Sequence, residues 1–143
     1  MENNALITLI GKQLIDGEED SYELTTVGKY TKQNGKYLAS YEGSELTGHE
    51  NTTTTLKIKD DFVSMVRFGK NSPVSQMVFQ ERKQYTGIYN TPYGNMTVDV
   101  YTKAMSVDIN DDGGEINLDY LVQLNDCAPV RNNLTVKIRK VEE

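Results

Sequence analysis

Few residues of this chain combine the type and spacing that chemistry needs. The run Asp108-x-Asn110-x-Asp112-Gly113, with Asp119 at the twelfth position, sets oxygen ligands at alternate positions around a glycine turn. That is how a calcium loop begins. The twelfth ligand of such a loop is normally a bidentate Glu, and the flanks here alternate as strands rather than helices. The segment therefore reads as a solvated hairpin turn between Ile109 and Ile116. His49 is the single histidine and lies in a polar stretch beside Glu50, with no nucleophile near it in sequence. Cys127 is the single cysteine, so no intrachain disulfide forms. Asp126 precedes it, whereas a reactive thiolate wants a positive neighbourhood. One His and one Cys make a poor zinc set. Paired carboxylates such as Glu42 with Glu45, or Asp60 with Asp61, are common in an acidic chain and carry no reaction. The expectation is a non-enzyme with no metal and no cofactor.

Arg67 is the residue that asks for an explanation. It stands among Val63, Met65, Val66 and Phe68, in a segment apolar on both parities. Pointing inward, its charge would need a partner, because an unpaired buried charge is very costly. Glu42 is one partner to weigh, and the anionic group of a ligand is another. Facing solvent, or snorkelling at a rim, it would need neither. Tyr37, Tyr41, Tyr89 and Tyr93 present the same choice between pocket lining and ordinary strand filling, since a phenol offers an apolar body and a polar tip.

The elements that position these residues are strands. Nine Tyr and fourteen Thr, with no Trp, suit a pleated, half-buried surface. From Glu115 onward Ile116, Leu118, Tyr120, Val122 and Leu124 hold one face, and Leu134, Val136 and Ile138 repeat the pattern. Between Asn95 and Ile109 the parity switches, from Met96, Val98 and Val100 to Met105, Val107 and Ile109. One extra residue near Thr102 to Ala104 keeps both sets on one side, which predicts a β-bulge there. Earlier strands are expected over Leu6–Ile15, Ser21–Lys32, Tyr37–Tyr41, Thr54–Lys59, Phe62–Gly69 and Gln84–Thr91. Asn34-Gly35 tolerates the positive φ angles of a type I′ hairpin turn. Gly43–Asn51 reads as a polar loop. Val74–Gln84 fits either a helix capped by Ser72 or a strand. A strand is favoured, because a helix would leave Phe79 outside.

About ten sequential strands with short connections describe one domain over residues 1–143, an all-β, antiparallel, up-and-down barrel of about 8–10 strands. With 15 Lys and Arg against 21 Asp and Glu, the formal charge is −6. Such a chain repels phosphate backbones, so nucleic acid is not an expected partner. The opening Met-Glu-Asn-Asn has no basic residue, and the apolar run Ala5–Ile10 is broken by Thr8. That run is too short for a signal core or a membrane span of ~20 residues. A cytoplasmic protein with no membrane contact is expected.

Along nearly its whole length the chain resembles the YwiB-like family of small bacterial proteins, assigned to a domain of unknown function. The resemblance rests on Tyr37-Leu38-x-x-Tyr41-Glu42, Met65-x-Arg67-x-Gly69, Tyr89-x-Thr91-Pro92-Tyr93-Gly94, and the Gly113-Gly114 turn before an alternating strand. It implies a calycin-type barrel of lipocalin-like architecture, with no reaction attached. Two lipocalin hallmarks, a Trp near the first strand and a disulfide, are absent. An eight-stranded barrel is either filled or hollow. Three functions follow. The first is a small, partly apolar ligand in or at the mouth of the barrel, oriented by Arg67, Tyr41 and Tyr89, with Tyr37, Tyr93 and Glu42 nearby. The second is a filled barrel that meets a protein partner. The third, least favoured, is an enzyme.

Overall fold

The computed structural model describes residues 4–15, 17–42, 52–69, 75–91, 94–125 and 127–141. They form ten strands: β1 Ala5–Ile15, β2 Glu18–Gln33, β3 Lys36–Glu42, β4 Thr52–Lys59, β5 Phe62–Gly69, β6 Ser75–Phe79, β7 Gln84–Thr91, β8 Gly94–Asn110, β9 Gly113–Leu124 and β10 Val130–Lys140. All pair antiparallel in one sheet, in the order β6-β5-β4-β3-β2-β1-β10-β9-β8-β7. Each strand therefore lies beside its neighbour in sequence, and the first and last strands join β1 to β10. The sheet curls into a nearly closed barrel. Its two ends, β6 and β7, meet without a ladder, and Gly87 approaches so near that a Cβ there would lie 2.9 Å from the Gln76 carbonyl oxygen.

The period of two decides what faces inward. In β1, Ala5, Ile7, Leu9 and Gly11 are buried while their neighbours are not. The register carries this face round the wall: Ile58 pairs with Val63, Leu56 with Met65, and Val63 with Phe79. Phe79 is fully buried, as a strand over this segment requires and a helix would not allow. Val74 lies outside the described residues. Each such side chain taken from water contributes about 1.5–3 kcal/mol.

The parity switch in β8 is a register shift: Thr102 pairs with Tyr120 and Ala104 with Asp119, leaving Lys103 as the extra residue. Val98, Val100 and Thr102 are buried on one side of it; Met105, Val107 and Ile109 pack against the core on the other. The bend also receives the β6–β7 turn. Arg82 N donates to the Thr102 carbonyl at 2.7 Å, and Thr102 N donates to the Lys83 carbonyl at 3.2 Å. At the β2–β3 turn Asn34 and Gly35 have φ of 51° and 79°, the signs of a type I′ hairpin.

One end of the barrel is filled. Tyr30, Ile58, Val63, Ile116 and Val136 are fully buried there. Tyr30 stacks on Tyr37 with centroids 5.3 Å apart, and its hydroxyl donates to the Asn110 carbonyl at 2.7 Å. Among the described residues the other end, where β5 finishes and β6 begins, is open.

Candidate functional site

The open end holds a cavity of about 550 Å³. β1 contributes Leu9, Gly11 and Gln13, and β2 contributes Asp20 and Tyr22. Tyr41 comes from β3, Thr54 from β4, Met65 and Arg67 from β5, and Met77 from β6. The opposite wall is Tyr120 and Val122 of β9 with Asn132 and Leu134 of β10. Tyr120 also forms the floor, edge-on to Phe79 with centroids 4.8 Å apart. Leu124, Cys127 and Ala128 border the rim.

Arg67 reaches this space because it continues the inward set of β5. Val63 and Met65 precede it on that face, and it pairs with Thr54 of β4, which pairs in turn with Tyr41 of β3. Thr54 and Tyr41 are buried. The Arg67 Nε is also buried and has no hydrogen-bond partner. Among the described residues no carboxylate forms an ion pair with Arg67. A buried donor left without an acceptor typically costs ~1–3 kcal/mol.

Tyr22, Tyr41 and Tyr120 share the cavity with the guanidinium. Burial raises the pKa of Tyr22, the nearby Tyr41 phenol raises it further, and Arg67 pulls it back. Tyr120 is pushed up to about 12, mainly by burial and next by the Tyr22 phenol, again against Arg67. Tyr22 and Tyr120 therefore remain protonated at neutral pH and keep an O–H to donate. One fixed cation, neutral hydroxyls and apolar Leu9, Met65, Met77, Val122 and Leu134 make a receptor for an anionic group carried on an apolar body.

The residues expected from sequence divide. Arg67 and Tyr41 line the cavity. Glu42 takes the other parity of β3 and is exposed, so the pairing with Arg67 weighed above is not made. Tyr37 sits at the filled end. Its hydroxyl donates to Asp111 Oδ1 at 2.5 Å, and Lys32 Nζ stands 5.5 Å over its ring. Tyr89 pairs with Met96 across β7 and β8. Tyr93, His49 and the 43–51 loop lie outside the described residues. Tyr22 and Tyr120 were not singled out as site residues, although each keeps phase with apolar neighbours: Tyr22 with Leu24, and Tyr120 with Leu118 and Val122. The acidic run at 108–113 forms the β8–β9 hairpin, where Asn110 Oδ1 accepts from Asp112 N at 2.9 Å. Among the described residues no group of three His, Cys, Asp or Glu could hold a metal ion.

The family model of the domain of unknown function DUF1934 matches residues 7–136. The chain belongs to this family. It is 27% identical over 144 residues to the uncharacterized β-barrel protein YwiB of Bacillus subtilis (strain 168), covering 95% of this chain and 94% of that protein. The crystal structure of the Bacillus subtilis YwiB protein superposes with a TM-score of 0.83 at 18% identity. It covers 98% of this chain and 93% of that one. The YwiB-like resemblance and the up-and-down barrel expected from sequence are both found. Among the described residues no helix is long and apolar enough to cross a membrane.

Proposed function

We propose that this barrel is a non-catalytic binder of a small, partly apolar ligand, held in the cavity at its open end with an anionic group against Arg67. The buried Arg67 Nε without an acceptor carries this reading. Folding tolerates such a group at a cost, and a ligand anion would supply an acceptor that the described residues do not. Around it the wall offers apolar area for the ligand body and neutral hydroxyls for its polar end. The cavity that the described residues line at this end favours this function over a filled scaffold that only meets a protein partner.

Native mass spectrometry of gently purified protein tests the proposal, together with thermal melts across a panel of organic acids and their neutral analogues. Retained adducts or acid-dependent stabilisation, both lost in Arg67→Gln, are expected. Bare protein with no shift across the panel would overturn it.

A further inference from the structure

We infer that the ligand is a compact apolar monoacid: a single carboxylate or similar monoanion against Arg67, on a body short enough to end at the Phe79–Tyr120 floor. The inference deepens the ligand-binding reading above and rests on it.

Charge limits the head group. The cations on the cavity wall are Arg67 and Lys12, among the described residues. Lys12 is exposed at the rim, 4.0 Å from Glu19. Among the described residues that leaves one guanidinium inside, with Asp20 on the same mouth and a chain of net charge −6 around it. A monoanion neutralises the guanidinium. A phosphate monoester, close to dianionic at neutral pH, would keep a surplus negative charge against Leu9, Met65 and Val122, where desolvation is expensive. The phenols fit the smaller anion too. Each has one O–H to donate, and a carboxylate has two oxygens, one for the guanidinium and one for a phenol.

Depth limits the body. The cavity of about 550 Å³ ends above a filled section of the barrel. Below it the bore is occupied: Phe79 carries the edge of Tyr120, and Ile58, Val63, Ile116 and Val136 fill the section beneath. An acyl chain extended along the axis would run into these buried side chains. The wall beside Arg67 is adaptable, since Met65 and Met77 face each other across β5 and β6. Unbranched thioether side chains repack around differently shaped bodies, which suits a ring or a short branched chain.

Calorimetric titration of the full-length protein with naphthoate, naphthalenemethanol, naphthyl phosphate and hexadecanoate tests this. Naphthoate should bind at least about tenfold more tightly than each of the other three. Arg67→Gln should remove the preference for acid over alcohol, and Arg67→Lys, which keeps the charge, should retain part of it. The rank order in the unaltered protein decides even if a variant folds poorly. Phosphate or hexadecanoate matching naphthoate would overturn the compact monoacid and leave the cavity reading standing. Equal binding of acid and alcohol would overturn the anionic head in the same way. No binding of any of the four would overturn both readings.

Discussion

The Tyr22 ring occupies the space into which a side chain at Gly11 would project. The two residues face each other across β1 and β2, and a Cβ at Gly11 would lie 2.3 Å from Tyr22 Cε1. A bare glycine on one strand lets the aromatic of the next lie across it at the mouth of the cavity. Tyr22 is half exposed, so its ring can swing outward. Gly11→Ala should cost less than the ~1–3 kcal/mol of core overpacking while turning Tyr22 away from Arg67 and weakening acid binding. Gly28→Ala is the contrast. A Cβ there would lie 2.4 Å from the Ser40 carbonyl oxygen and 2.5 Å from Ile7 Cδ1. Backbone cannot swing aside, and about 1–3 kcal/mol should be lost. Urea unfolding of both variants checks the pair; similar losses would contradict it.

Arg67→Met should stabilise the unliganded protein by roughly 1–3 kcal/mol, because it removes a buried donor that has no acceptor. The same change should abolish acid binding. A lower urea midpoint for this variant would mean that the guanidinium is already satisfied in the free protein.

Phe79→Ala should cost about 3–5 kcal/mol, since the ring is fully buried and supports the edge of Tyr120. Phe79→Leu, nearer in volume, should cost less. Equal losses would show that bulk at this floor is unimportant.

The Tyr37–Asp111 contact should make stability sensitive to pH at both extremes. The Tyr37 hydrogen bond, and then Lys32, hold the Asp111 carboxyl below its ordinary value of 3.8. That contribution is complete above the ordinary value and fades as pH falls through the lowered one. Tyr37 is raised above 10.0, first by the same hydrogen bond. Its contribution is complete below pH 10.0 and fades as pH rises through the raised value. Tyr37→Phe should narrow the gap from the unaltered protein at both ends of the pH range. Urea midpoints measured from acid to alkali would show a constant gap if the bond does not form.

Cys127 is exposed and borders the cavity rim. A bulky maleimide on this thiol should impede acid binding, and bound naphthoate should slow the alkylation. Unchanged rates, followed by thiol titration, would place the ligand elsewhere.

Much of the architecture was legible because alternation is local. Ile116 to Leu124 announces its own inner face, and the conflict between the Val98–Val100 and Met105–Ile109 parities announced the bulge that the register shift at Thr102 and Ala104 displays. Phe79 argued for a strand by its need for cover. The site was legible only in part. Parity tells which residues point inward but not how far along the bore they lie. That depth follows from register accumulated round ten strands, a non-local quantity. So Arg67 and Tyr41 were found together, while Tyr37, on the same face of β3 and four residues from Tyr41, belongs to the filled end. Tyr22 and Tyr120 carry no local mark that sets them apart, and only the curled wall brings both into the cavity with Arg67. Glu42 was weighed as a partner by charge alone, and the pleat sends it to the other side of the wall.

The seam at Gly87 and Gln76 has a mechanical consequence. Nine neighbouring strand pairs share a hydrogen-bonded ladder, and the tenth junction, between β6 and β7, does not. Among the described residues, parting β6 from β7 costs side-chain contact but sacrifices no ladder between the two strands. Strain applied to the wall concentrates along that one line, as in a split ring, while the remaining circumference follows as a continuous ribbon.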